Sequence, residues 1–271
     1  MTGKKLRLKR FNYPHSTHGL IVPLDHGLTL GPISGIESVR QIAEWIQHPA
    51  ICGVIVHKGL AERLIEANLL DSVGLMIHLN GMSSISTAPD QKERLTTLEN
   101  AIRLGADAVS LQVNFDGSND AENLRLMGKV VDEAAKFSLP VLAMMYDKVV
   151  LDEEQAIPRL RHLMRIAIEL GCDMIKIAPP VLPAQLPSLL NDISSDIPIF
   201  LAGGALREVE SLYAFLRSGL RAGARGLCVG RNIFQRQDYS EVLSHLQELL
   251  GSNARKVFDL PLEGGLVYGT H

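Results

Sequence analysis

Residues 170–177 read Leu-Gly-Cys-Asp-Met-Ile-Lys-Ile. A helical periodicity ends at Leu170, glycine follows it, and an apolar run begins within a few residues. Glycine just past a helix takes the left-handed backbone conformation that other residues resist, so the chain can turn straight into a strand. The same junction recurs as Leu-Gly-Ala-Asp-Ala-Val at 104–109 and Ala-Gly-Ala-Arg-Gly-Leu at 222–227. Helices that feed strands through short links require those strands to be parallel.

Outward from these junctions, strand-like runs fall at 20–25, 51–57, 74–79, 108–113, 141–146, 174–177, 197–201 and 226–229. Each is continuously apolar rather than alternating, as expected for strands covered on both faces. Helical periodicity is clearest over 37–47, 60–69, 92–104, 121–137, 153–170 and 208–218. Eight β/α units point to closure as a (β/α)₈ TIM barrel of the α/β class. An open doubly wound sheet would usually carry a Gly-x-Gly-x-x-Gly loop after its first strand; this chain has Asp-His-Gly-Leu-Thr-Leu-Gly-Pro at 25–32. No Ser/Pro-rich linker divides the 271 residues, so one domain spanning 1–271 is expected, with an N-terminal arm over 1–18 and a tail over 252–271.

Composition narrows the function classes. Apolar residues are 46% of the chain and the net charge is −3, which gives no electrostatic reason to bind nucleic acid. The basic run Lys4, Lys5, Arg7, Lys9 and Arg10 reads as a solvated tail or subunit-packing arm in preference to a polyanion-binding one. It lacks the apolar core of a secretory signal, and no stretch is long enough to span a membrane. Cys52, Cys172 and Cys228 have neither disulfide parity nor metal-ligand spacing, and read as buried thiols of the cytoplasm.

Barrel enzymes gather their chemistry at the C-terminal strand ends. Those ends carry Asp25-His26, His57-Lys58, His78, Asn114, Tyr146, Lys176, Gly203-Gly204 and Gly230-Arg231. Lys176 is the most informative. Strand alternation puts it with Met174 on one face and Ile175 and Ile177 on the other. Pointing into the barrel mouth, its amine would be desolvated, its pKa lowered with help from a nearby cation such as Lys58, and its lone pair made nucleophilic. The alternative is a structural lysine paired with an acid. Tyr146 could shuttle a proton or be an ordinary half-buried tyrosine. Asp25 suits an acid/base partner or an anchor for a substrate hydroxyl.

A phosphate cradle is the second constellation. Ala-Gly-Gly-Ala at 202–205 and Val-Gly-Arg-Asn-Ile-Phe at 229–234 end the seventh and eighth strands, where barrels often bind phosphate. Glycine lets backbone N–H groups approach the oxygens, and Arg231 adds a charge or a main-chain contact. His26, His57 and His78 offer a rival reading as zinc ligands, although ordinary hydrogen-bonded histidines are preferred.

Taken together, Val-Pro-Leu-Asp-His-Gly at 22–27, Val-His-Lys-Gly at 56–59, Met-Tyr at 145–146, Asp-Met-Ile-Lys at 173–176, Ala-Gly-Gly at 202–204 and Val-Gly-Arg-Asn-Ile-Phe-Gln at 229–235 resemble the DeoC/LacD-type class I aldolases. Within that family they are similar to the archaeal-type fructose-bisphosphate aldolases and to 2-amino-3,7-dideoxy-D-threo-hept-6-ulosonate synthase. The resemblance implies a Schiff base on Lys176 without any other cofactor, Tyr146 as proton donor and Asp25 as general base. It implies a ketose phosphate held by Gly203, Gly204, Gly230 and Arg231, and a homo-oligomeric ring of five or ten subunits.

The chain departs from the family pattern at Asp147-Lys148-Val149 and at Ile177-Ala178-Pro179-Pro180, both where a second substrate is recognised. A biosynthetic aldolase joining a dihydroxyacetone-phosphate-like donor to aspartate semialdehyde is therefore expected, with His26, His57 and Lys148 among the substrate contacts. Fructose-bisphosphate cleavage, a phospho-sugar thiolase, a metal-dependent lyase and a non-catalytic phosphosugar-binding barrel are the alternatives.

Overall fold

A computed structural model describes residues 2–149, 153–178 and 183–256. Eight parallel strands close into a barrel: β1 (Gly19–Pro23), β2 (Gly53–Val56), β3 (Gly74–His78), β4 (Ala108–Phe115), β5 (Val141–Asp147), β6 (Met174–Ile177), β7 (Ile199–Ala202) and β8 (Gly226–Cys228). Neighbours in space are neighbours in sequence, and β8 pairs back onto β1 through Gly19–Gly226. Every residue of β1, β2, β3, β6, β7 and β8 is buried, which is why the runs show no polar alternation. β7 begins two residues later than expected, because Pro198 has no N–H to give the ladder.

The repeated junctions behave as their glycines require: Gly105, Gly171 and Gly223 have φ of 81°, 85° and 98°. Their aspartates do further work. Asp107 Oδ2 accepts the Leu75 N–H at 2.9 Å, and Asp173 Oδ2 accepts the Val141 N–H at 3.0 Å, so each latches the start of the neighbouring strand.

Two expected helices are corrected: 37–47 is α-helical only over Val39–Ala43, and 92–104 changes more sharply. Only Leu98–Arg103 of the 92–104 segment is helical. Thr97 Oγ1 accepts the Asn100 N–H at 3.2 Å and caps the helix there. Upstream, Glu93–Arg94 instead pair antiparallel with Asn80–Gly81.

The apolar interior is split in two by the sheet. The larger core lies between strands and helices; the smaller lies inside the barrel and comprises Phe11, Ile21, Ile55, Met76, Ala108, Leu142, Met144, Met174, Phe200 and Cys228. Phe11 forms the floor of the smaller one. A Cβ on Gly53 or Gly74 would come within 2.5 or 2.9 Å of its ring, so these strand-opening glycines leave the space that it fills.

The N-terminal segment is thus not a solvated tail but packs on this chain's own barrel. Residues 2–11 form a helix and a 3₁₀ turn against the barrel's N-terminal rim. Lys4 pairs with Asp173 and Arg10 with Asp107, both at 3.0 Å, while Arg7 donates to the Ala106 carbonyl at 2.9 Å. Two of the five basic residues, Lys4 and Arg10, thus answer the junction aspartates.

At the other end a helix, Tyr239–Lys256, extends into the expected tail, and residues 257–271 lie outside the described residues. Among the described residues no helix is long and apolar enough to cross a membrane.

Candidate active site

Strand alternation sets the site. Met174 and Lys176 face the barrel interior, and Ile175 and Ile177 face the helices. Lys176 lies between Met144 on β5 and Phe200 on β7 in the ladder and is only 5% exposed. Its Nζ is 3.8 Å from the Met144 sulfur, a weak acceptor, and also faces Cys228, Tyr146 and Asp25.

The expected lowering of the Lys176 pKa does not occur. Burial is the largest single influence and pushes it down. The negative charges that Cys228, Tyr146 and Asp25 bear when ionised outweigh burial, and the net direction is up. Burial pushes the Cys228 thiol up to about 11, so it is uncharged at neutral pH, and the Asp25 carboxylate, the third of the three influences, is an anion that faces the amine. Lys58 does not help to discharge Lys176, because its ammonium donates to the Leu95 carbonyl at 2.9 Å.

Asp25 lies just beyond β1. Burial would raise its pKa, but His78, Lys176, His26 and His57 together bring it down to about 2. His26 Nδ1 is 3.6 Å from Oδ1, and His78 Nε2 is 3.8 Å from Oδ2. Burial keeps the imidazoles neutral: His78 falls to about 3, and His26 and His57 are also lowered. The His57 and His78 rings meet edge to face at 5.2 Å. Among the described residues no three His, Cys, Asp or Glu side chains group as a metal-ligand set.

The two glycine loops adjoin this cluster. A Cβ on Gly230 would strike His26 and Phe234 at under 3 Å, and one on Gly203 would lie 2.5 Å from Val229. Gly204 has φ +70°. Asn232, which sequence reasoning passed over, ties the loops together. Fully buried, it donates to the carbonyls of Gly203 at 3.2 Å and Ala205 at 2.9 Å, and accepts the Arg207 N–H at 3.0 Å. A buried amide beside two glycine turns was the available signal.

Three buried polar atoms among the described residues have no hydrogen-bond partner: Asp25 Oδ1, His26 Nδ1 and Arg231 Nε. Each belongs to a residue singled out in the sequence. Orphaned buried groups cost stability and tend to mark sites that a ligand completes.

Lys148 lies apart from the cradle. It pairs with Asp90 at 2.7 Å, and Asp90 is held by Asn114, whose Nδ2 reaches its carbonyl at 2.8 Å. Lys92, also missed, donates to the Pro89 carbonyl at 2.7 Å. Burial and Lys148 lower its pKa against the pull of Asp90, and its charge is felt at His78 and Asp25. Of the second departure from the family pattern, Pro179 and Pro180 lie outside the described residues.

Known proteins resemble the chain over nearly its whole length. The sequence profile of the DeoC/LacD family aldolases matches residues 19–236. The chain is 33% identical over 270 residues to 2-amino-3,7-dideoxy-D-threo-hept-6-ulosonate synthase 1 of Archaeoglobus fulgidus, covering 99% of each. It is 28% identical to 2-amino-4,5-dihydroxy-6-oxo-7-(phosphonooxy)heptanoate synthase of Streptomyces griseus, over 93% of this chain and 92% of that protein. An archaeal fructose-1,6-bisphosphate aldolase, solved with its catalytic lysine covalently bound to the carbinolamine intermediate, superposes with a TM-score of 0.79 at 26% identity, over 91% and 99% of the two chains.

Proposed function

The chain belongs to the DeoC/LacD family of aldolases, and on that premise we propose that it joins a phosphorylated ketose donor, such as dihydroxyacetone phosphate, to an amino-acid aldehyde through a Schiff base on Lys176. The observation that carries this reading is a lysine in the dry barrel interior, facing Asp25, beside unpartnered buried polar atoms of Asp25, His26 and Arg231.

The ammonium first gives up its proton. Asp25 is the nearby base, and transfer within the pair leaves a neutral amine and a neutral acid with no change in net charge. The amine attacks the ketone carbon, the carbinolamine loses water, and the iminium draws electrons from the adjacent C–H bond. Asp25, which has passed the lysine proton to the departing hydroxyl and is a carboxylate again, takes that proton. The resulting enamine adds to the aldehyde carbon, Tyr146 protonates the new alkoxide and regains its proton from Asp25, and water returns to release Lys176. Backbone N–H groups at Gly203, Gly204 and Gly230, with Arg231, hold the donor phosphate; His26 and His57 line the space between.

The acceptor end is assigned to Lys148, Lys92 and Asp90. Two ammoniums around one carboxylate leave one net positive charge. That balance suits a group carrying both a carboxylate and an ammonium better than a dianionic phosphate, so an aldehyde such as aspartate semialdehyde is favoured over glyceraldehyde 3-phosphate. Similarity to relatives named as synthases of amino-heptulosonate products supports the same assignment. Following the resemblance, the enzyme is a cytoplasmic homo-oligomer that needs no cofactor; native mass measurement checks its assembly.

Borohydride added with dihydroxyacetone phosphate should fix the donor irreversibly to Lys176, and Lys176→Met should abolish the adduct. Failure to trap it, with activity lost to a chelator, would replace this reading with a metal-dependent lyase.

A further inference from the structure

Ser110 on β4 lies directly opposite His78 on β3, with its Oγ 2.8 Å from Nδ1. Both side chains are essentially inaccessible, at 0% and 2% exposure. The other ring nitrogen, Nε2, is directed at Asp25 Oδ2 from 3.8 Å. A neutral imidazole carries one N–H. Were it on Nδ1, Nε2 would present a lone pair to a carboxylate. The favourable arrangement has Ser110 donating to Nδ1 and the Nε2–H facing Asp25. Meanwhile Asp25 Oδ1 has no hydrogen-bond partner. Neither oxygen is hydrogen-bonded by an imidazole: His26 Nδ1 stands 3.6 Å from Oδ1 and His78 Nε2 stands 3.8 Å from Oδ2, and His78 is the one of the two whose other ring nitrogen is held by Ser110.

We propose that Ser110 and His78 are positioning residues for Asp25: the hydroxyl fixes the imidazole tautomer, and the imidazole N–H orients Oδ2 so that Oδ1 meets the donor carbon. The proposal rests on the reading of Asp25 as general base. At 3.8 Å the contact is too long for a hydrogen bond in the free enzyme; catalytic contacts of this kind tighten once substrate is bound. The relay transfers no proton itself. The C–H proton goes to Oδ1, and its electron pair enters the enamine and ends on the iminium nitrogen.

A neutral donor also fits the surroundings. Asp25 is faced by His26, His57, His78 and Lys176, and His78 by Asp25, His57, Lys176 and Lys92. Another cation there would compete with Lys176 for the carboxylate. A neutral N–H stabilises the anion without doing so.

The test is exchange of the donor's C–H hydrogen in deuterium oxide, measured on the full chain against pH with dihydroxyacetone phosphate alone. Ser110→Ala should slow exchange about tenfold and move the acid limb up by about one pH unit, with donor KM unchanged. Ser110→Thr, which keeps the hydroxyl, should restore both. His78→Gln keeps an N–H at similar reach and should retain more exchange than His78→Leu. Circular dichroism and donor binding confirm that each variant is folded.

Asp25→Asn separates the two layers of the reading. If it stops exchange while Ser110→Ala matches the parent in rate and acid limb, the relay is overturned and the base assignment stands. If Asp25→Asn exchanges like the parent, both fall. A Ser110→Ala defect confined to donor KM, with no pH shift, would also overturn the relay by making the pair merely structural.

Discussion

Phe11→Ala tests whether residues 2–11 are the floor of the barrel and hence part of what supports Lys176. The ring is fully buried and walled by Gly53 and Gly74. Burying about 150–200 Å² of a phenylalanine at about 25 cal/mol/Å² gives about 4–5 kcal/mol. The unfolded chain already hides part of that area, which trims the figure. Against this, the walls are backbone locked into a closed ladder and cannot collapse into the hole, which keeps the cost in the roughly 3–5 kcal/mol range of such deletions. An expected loss of about 4 kcal/mol corresponds to roughly 8–16 °C in Tm at about 2–4 °C per kcal/mol. Urea unfolding followed by circular dichroism measures it, with Phe11→Leu as a milder control. Because Met144 shares the inner core with Phe11 and contacts Lys176, donor trapping on the folded variant should also slow. A loss below about 0.5 kcal/mol, the cost of an ordinary surface change, would refute the floor and return the segment to the status of an arm.

Asn232→Ala should cost about 2–4 kcal/mol, since it removes three hydrogen bonds to buried backbone, and should raise donor KM well above tenfold while leaving an uncharged ketone unaffected; steady-state kinetics on both donors decides it. Acid should destabilise the fold well above the usual carboxylate range: the unfolded chain protonates His78 near 6.5 but the folded one only near 3, so stability is complete above about pH 6.5 and falls continuously toward pH 3. Asp25, lowered to about 2 from its ordinary 3.8, adds a loss of the same sign between those values. Thermal melts from pH 8 to pH 4 should show this decline, and His78→Gln should flatten it. Lys92→Met and Lys148→Met should each raise KM for aspartate semialdehyde about tenfold and leave propionaldehyde unchanged; an equal effect on both aldehydes would remove the acceptor assignment.

Most of the barrel was legible because its signals are local. A glycine after a helix and an apolar run after the glycine are read within eight residues, and the junctions at 104–109, 170–177 and 222–227 fell where expected. Strand ends then located the candidate residues, and alternation put Lys176 on the same face as Met174, which the structure turns inward. What escaped was pairing across distance. Periodicity extended the helix back to residue 92, because the ribbon with Asn80–Gly81 depends on a partner twelve or more residues away. Phe11 looked like part of a polar arm until Gly53 and Gly74 gave it a socket. The direction of the Lys176 shift was misjudged for the same reason: burial is visible in an apolar run, whereas how closely Cys228, Tyr146 and Asp25 together approach the amine depends on the closed barrel.

The short ribbon has a consequence for how this enzyme can change. Residues 82–92 leave and rejoin the barrel through a clasp, Asn80–Gly81 against Glu93–Arg94; that neck is fastened again by Asn80 to Gln112, and the excursion is tied down by Asn114 to Asp90 and by Ser84 to Thr29. The excursion it encloses bears Asp90 and Lys92 but contributes no stave to the barrel. Its length and charge can therefore be rewritten without loosening the closure on which the amine depends. A lineage could exchange one aldehyde for another by editing this cassette, while the donor chemistry opposite stays untouched.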